Sequence, residues 1–152
     1  MDKQKMITAL NKAIALEHSA TFQYQQHALL VNGFWRKVFA DFFTSGAESS
    51  LEHARKFGRK VVALGGVPTV ELGSPILQST DLEEMLRQDL TLEKTTLQAY
   101  LDAHALTEGD IALRTMLESH IESEQRDIEE LEIYLVKTTK GTADAVTFPR
   151  AS

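Results

Sequence analysis

Several ionisable side chains of this chain fall where helical periodicity calls for apolar ones. Over residues 113–135 the apolar stripe reads Leu113, Leu117, His120, Glu124, Asp127, Leu131 and Tyr134, in steps of four and three. Such steps keep all seven on one helix face, which should be buried. A carboxylate there must neutralise, pair or bind a metal, because an unpaired buried charge is expensive. Glu17 interrupts the stripe Leu10, Ile14, Glu17, Thr21, Tyr24, Ala28 in the same way. His53 does so in Phe39, Phe43, Gly46, Ser50, His53, Phe57, Val61, and Glu93 in Leu86, Leu90, Glu93, Leu97, Tyr100, His104. The chain has no cysteine, so a metal would meet only oxygen and imidazole ligands. Such a set suits iron or manganese, with zinc as a substitute.

The elements carrying these stripes are four long helices. The first covers about residues 3–31 and stops at Asn32-Gly33; the second covers 34–64 and stops at Gly65-Gly66. Residues 67–79 contain Pro68, Gly73 and Pro75 and show no helical period. Thr80 reads as the next N-cap, with Glu83 in the capping-box position, and the third helix runs to about Thr107. Gly109 then ends one helix and Asp110 caps the fourth, which closes at Lys140-Gly141. The expected organisation is an all-α four-helix bundle over 1–140 with a C-terminal tail, 141–152.

The long connection decides the topology. The third helix is about 40 Å long at 1.5 Å per residue. An extended connection of about 15 residues spans about 50 Å, so it can cross the bundle and make helices two and three parallel. In that arrangement Glu17, His53, Glu93 and Glu124 all stand roughly 17 to 21 Å above the end where helix one begins. Four candidate ligands, one from each helix, then meet at one level.

Each residue alone has an ordinary reading. A single glutamate at the edge of a stripe reaches solvent, a lone His53 is usually a hydrogen-bonded core histidine, and His120 could pair with Asp127. The tyrosines Tyr24, Tyr100 and Tyr134 read as core residues whose hydroxyls find polar partners. The shared level of the acidic and imidazole groups is what favours a metal. Net charge is −6, and no Lys/Arg-rich patch would track phosphates, which argues against a nucleic-acid partner. No segment approaches 18 apolar residues, and no signal peptide is recognisable, so the expectation is a cytoplasmic protein with no membrane partner.

The chain resembles the bacterioferritins of the ferritin-like di-iron superfamily. The resemblance covers about residues 3–138. It lies in Leu16-Glu17, Gln23-Tyr24, His53-Ala54, the crossover Leu64-Gly65-Gly66-Val67-Pro68, Leu82-Glu83-Glu84-Met85-Leu86, and Asp89-Leu90-Thr91-Leu92-Glu93. That family places one glutamate on each of helices one and three and Glu-x-x-His on helices two and four. Carried over, the resemblance implies the ligand set Glu17, His53, Glu93, Glu124 and Asp127; His120, one turn before Glu124, is outside that pattern and is a candidate sixth ligand. Two departures weaken the site. Ser50 stands where a carboxylate would bridge two metals, and Asp127 where a second imidazole is expected. The methionine that ligates haem in that family is here Leu51, which has no donor atom, so haem bound in that way is not expected.

The function implied is Fe(II) oxidation by dioxygen or peroxide and iron storage in a homo-oligomer, built from dimer units and reaching a 24-subunit cage. The degenerate site points to a slower ferroxidase. The alternatives are a non-catalytic cage-forming or partner-binding bundle, and a small di-metal peroxide-reducing protein.

Overall fold

The computed structural model describes residues 1–138; the expected stop at Lys140-Gly141 and the tail 141–152 lie outside them. Four helices make up the bundle: α1 (Lys3–Leu30), α2 (Arg36–Ala63), α3 (Leu82–His104) and α4 (Ile111–Thr138). No helix among the described residues is long and apolar enough to cross a membrane.

Helix ends follow local chemistry. The Asp2 carboxylate accepts from the amides of Gln4 and Lys5 at 3.0 and 3.1 Å, capping α1. At the end of α2, Gly65 takes φ +89°, where a Cβ would strain the backbone. Its N–H reaches Val62 O while Gly66 N–H reaches Val61 O, closing off the last carbonyls. α3 is capped by Asp81 rather than Thr80: Asp81 Oδ1 accepts from Glu84 N–H at 2.8 Å. A charged oxygen at the positive end of a helix outcompetes a hydroxyl one residue earlier. α3 also ends at His104, three residues short of the expected limit, where the His104 carbonyl accepts from the Thr107 N–H at 3.1 Å and the Thr107 hydroxyl at 2.7 Å. Asp110 caps α4 through Leu113 N–H at 2.9 Å, as expected.

The crossover runs along α1 and is bonded to it at every turn. Asn11, Ala15, Ser19 and Gln23 recur every fourth residue and so form one line down the helix. Asn11 donates to Val67 O at 3.0 Å and accepts from Thr69 N–H at 2.9 Å. Gly73 N–H donates to Ala15 O at 2.7 Å, Ser74 N–H to the Ser19 hydroxyl at 3.0 Å, and Leu77 N–H to Gln23 Oε1 at 3.1 Å. A Cβ on Gly73 would stand 2.7 Å from Leu16 N, so only glycine lets the strap lie this close.

Contacts between helices establish the predicted directions. Lys12 meets Asp102 while His27 meets Asp89, so α1 and α3 are antiparallel. Tyr24 packs on Phe43 while Glu17 meets His53, which makes α1 and α2 antiparallel as well. α2 and α3 are therefore parallel, and α4 opposes both: Lys60 meets Asp110, Phe42 meets Tyr134, and Lys94 meets Glu132.

The buried stripes differ from the expected ones in an instructive way. On α2 the prediction holds, with Phe39, Phe43, Ser50, His53, Phe57 and Val61 all buried. On α4 the buried line is Leu113, Leu117, His120, Glu124, Ile128, Leu131 and Leu135. A strict seven-residue repeat drifts by about 20° per heptad on a straight helix. After Glu124 the inward position therefore passes from Asp127 to Ile128, and from Tyr134 to Leu135. α3 is turned similarly: Asp89, Thr96 and Ala103 are buried, while Leu90, Leu97 and His104 lie on its flank.

Candidate metal centre

At mid-height the apolar core gives way to a polar layer. On one side of it Phe39 and Phe42 pack edge-on against Tyr134 at 5.1 and 5.4 Å. On the other side Phe57 packs edge-on against Tyr100 at 5.0 Å. Between them, Glu17 from α1, His53 from α2 and Glu124 from α4 each offer a ligand atom within 4.8 Å of the others. His53 Nδ1 stands 3.2 Å from Glu17 Oε1 and 3.3 Å from Glu124 Oε1. The Tyr100 hydroxyl donates to Glu17 Oε1. Glu93 from α3 completes the layer, its Oε1 taking the Tyr24 hydroxyl at 2.5 Å. Both tyrosines thus use their hydroxyls to orient a carboxylate.

The electrostatics are those of a site short of one cation. Burial pushes Glu17 up from 4.5 to about 7, against His53, which pulls it down; the Glu124 charge adds to the rise. Burial also raises Glu93 well above its ordinary value, with the facing Glu124 carboxylate adding to the shift. Burial disfavours the His53 imidazolium, yet the Glu124 and Glu17 carboxylates outweigh it and raise the ring to about 10. A proton on His53 therefore stands between two carboxylates where a metal would otherwise balance them. Even so, Glu17 Oε2 and Glu124 Oε2 are buried with no hydrogen-bond partner. Orphaned anionic oxygens beside an imidazole fit a metal ion, and no side-chain donor within the layer satisfies them.

Asp127 sits apart. It is exposed, at the rim of a cavity of about 300 Å³ whose floor is formed by Glu93 and Glu124. Partial desolvation of its carboxyl group at the cavity rim, with Glu124 nearby, still raises it to about 6. The cavity is wide because its walls are small: Gly46, Ser49, Ser50 and Ser123. Ser50 is buried beside Glu17, and no carboxylate from α2 enters the layer.

His120 is buried beside His53, with ring centroids 4.8 Å apart, and it does not pair with Asp127: Nδ1 bonds to Met116 O at 2.7 Å. Glu48 and Glu52 flank Ser50 on the outer side of α2, Glu48 exposed and Glu52 half-buried. One buried ionic group was not anticipated. Asp89 accepts from His27 Nδ1 at 3.0 Å and from Gln23 at 2.9 Å, directly above the Tyr24–Glu93 pair. Reading Leu90 as the inward residue concealed Asp89, and His27 lay one position off the assumed stripe of α1.

Comparison with known proteins agrees with this architecture. The family profile described as a ferritin-like domain matches residues 7–140. The bacterioferritin of Desulfovibrio desulfuricans is 29% identical over 126 residues, 81% of this chain and 70% of that protein. The bacterioferritin of Brucella melitensis is 26% identical over 133 residues, 86% of this chain and 83% of that protein. A nutrient stress-induced DNA-binding protein of Synechococcus is 32% identical over 120 residues, 72% of this chain and 68% of that protein. A solved structure of a ferritin-like, diiron-carboxylate protein from Bacillus anthracis matches with a TM-score of 0.84 at 31% identity, covering 89% of this chain and 98% of that one. Crossover, helix directions and carboxylate layer thus agree with a profile match across nearly the whole bundle, and the chain belongs to the ferritin-like family.

Proposed function

We propose that this protein binds Fe(II) within the bundle, promotes its oxidation by dioxygen, and stores the product in a homo-oligomer, as a bacterioferritin-like protein with a weakened centre. The observation that carries the reading is the meeting of Glu17, His53 and Glu124 within 4.8 Å, with two carboxylate oxygens left without partners. Glu93 and Asp127 extend the donor set toward the cavity mouth, so the five candidate ligands are Glu17, His53, Glu93, Glu124 and Asp127.

Iron is both substrate and cargo here, and its chemistry is the loss of one electron to an oxidant. The chain supplies the rest. Anionic oxygens favour the higher charge of Fe(III), and the hydroxyls of Tyr24 and Tyr100 hold two of the carboxylates in place. Protons on Glu17 and His53 leave as the cation enters. The cavity lined by Ser49, Ser50 and Ser123 gives ions and dioxygen a path from solvent to Glu93 and Glu124.

Anaerobic Fe(II) titration followed by oxygen-electrode measurement tests the reading. Bound Fe(II) and oxygen uptake are expected, at a rate limited by the missing α2 carboxylate. A protein that binds no Fe(II) and consumes no oxygen would reject it. Ser50 favours a second reading, a cage-forming bundle without turnover; sedimentation as a large oligomer with neither bound iron nor oxygen uptake would select that one.

A further inference from the structure

We propose that His120 is a metal ligand in this centre, binding a divalent transition metal through Nε2, so that the first ion is held by two imidazoles together with Glu17 and Glu124. The inference rests on the metal-binding reading above and adds a residue with no counterpart in the one-glutamate and Glu-x-x-His pattern.

The tautomer comes first. His120 Nδ1 lies 2.7 Å from Met116 O, and a carbonyl can only accept. Nδ1 therefore carries the hydrogen, and in the neutral ring Nε2 holds a free lone pair. The two ring nitrogens diverge, so with Nδ1 turned onto its own backbone, Nε2 faces away from α4. The rings that meet His120 across the bundle are His53 and Phe57, each at 4.8 Å, and Tyr100 at 6.2 Å. A histidine that donates one N–H to a carbonyl and presents the other nitrogen inward has the arrangement typical of a metal ligand.

Three buried side-chain N or O atoms among the described residues have no hydrogen-bond partner: Glu17 Oε2, Glu124 Oε2 and His120 Nε2. They belong to one layer, and all three are lone-pair donors. The Tyr100 and His53 hydrogens are committed to other atoms, Tyr100 O–H to Glu17 Oε1 and His53 Nδ1 to Glu17 Oε1 and Glu124 Oε1. A further hydrogen-bond donor would satisfy one orphan, whereas a cation satisfies all three. As a core residue alone, His120 is a poor choice, since an unpartnered buried nitrogen is destabilising and leucine would fill the space without it. His120 also lies one turn before Glu124, on the same face, and so offers the site a donor where α2 has lost its carboxylate at Ser50. Its ring stands beside the Glu17–His53–Glu124 group rather than within it, so the ion draws it inward.

The test counts imidazoles. His18 and His104, both partly exposed, are replaced by glutamine throughout, and His27 has both nitrogens engaged by Asp89 and Gln88. One equivalent of Cu(II) is added, and pulsed EPR of the remote ring nitrogens is expected to report two coordinated imidazoles. In parallel, H120Q should weaken binding of the first Co(II) by at least about tenfold and alter its visible spectrum. One imidazole on Cu(II), or an H120Q variant with unchanged Co(II) affinity and spectrum, overturns the assignment while the metal centre stands. A chain that binds neither ion overturns both. Should H120Q fail to fold, the imidazole count in the protein retaining His120 decides.

Discussion

Glu17 Oε1 and His53 Nδ1 stand 3.2 Å apart in the interior, each on a different helix, and each raises the question of where one proton resides. Burial lifts Glu17 to about 7, and the Glu124 and Glu17 carboxylates lift His53 to about 10 despite burial. Both groups are raised above their unfolded values. The stability they contribute to the metal-free protein is therefore present at low pH, and is lost as pH rises from 4.5 through about 7 for Glu17 and from 6.5 through about 10 for His53.

Metal binding displaces these protons, so its affinity should rise with pH. Thermal unfolding with and without Mn(II) should show a gain in Tm that grows between pH 5.5 and pH 8.5. At a free concentration 100 times Kd the gain is about 2.7 kcal/mol. That corresponds to roughly 5 to 10 °C for a chain of this size. A gain independent of pH would mean that the ion does not compete with these protons.

Glu124→Gln should separate stability from binding. The Glu124 carboxylate faces Glu93, and one of its oxygens has no partner. An amide there can donate to Glu93, so the metal-free variant should unfold at the same temperature as the parent or a few degrees higher. Its metal affinity should fall by at least about tenfold. Circular dichroism melts and calorimetric titration read the two effects separately; a large loss of metal-free stability would contradict the account of Glu124 as a residue kept for binding.

Ser50→Glu should strengthen the second ion. Ser50 lies on the wall of the 300 Å³ cavity, beside Glu17 and within the layer that contains Glu93 and Glu124. A carboxylate there can touch two ions at once. Iron bound per chain should approach two, and oxygen uptake per iron should accelerate by about tenfold or more. Unchanged stoichiometry would mean that the missing bridge is not what limits the centre.

Gly46→Ala probes the support of Glu93. A Cβ at Gly46 would lie 3.0 to 3.1 Å from the Tyr24 ring, tighter than ordinary contact. The ring must shift, and its hydroxyl with it, away from Glu93. Overpacking of this kind destabilises by about 1 to 3 kcal/mol. Melting temperature should drop by several degrees, and metal affinity should fall with it; a stable variant with unaltered affinity would show that Tyr24 is free to move.

How much of this was legible in the sequence depended on the helix. On α2 the large residues Phe39, Phe43, Phe57 and Val61 leave only one line that can face inward, and that line contains His53 and Ser50, both buried. α4 offered two lines, because Asp127 and Ile128, and likewise Tyr134 and Leu135, are neighbours. A repeat of seven picks the first of each pair and the real helix picks the second. Asp127 was therefore placed inward but is found at the rim. Asp89 was hidden for the same reason, and its pairing with His27, 62 residues away along the chain, carries no local signal. The Thr80 cap failed more simply, since two adjacent residues could both cap and the charged one did. The common level of Glu17, His53, Glu93 and Glu124 was legible because it follows from helix lengths and one long connection.

The line of bonds between α1 and the crossover has a consequence for the integrity of the bundle. Gly73, Ser74 and Leu77 are fastened to Ala15, Ser19 and Gln23 on the first helix, so residues 67–77 belong to the α1–α2 hairpin more than to the link with α3. A peptide bond broken at Ser79-Thr80 would leave two helical hairpins, one carrying Glu17 and His53 and the other Glu93 and Glu124, still clasped by a shared interior. Such a nicked chain should sediment and melt as one body, and separately expressed halves should find each other in solution.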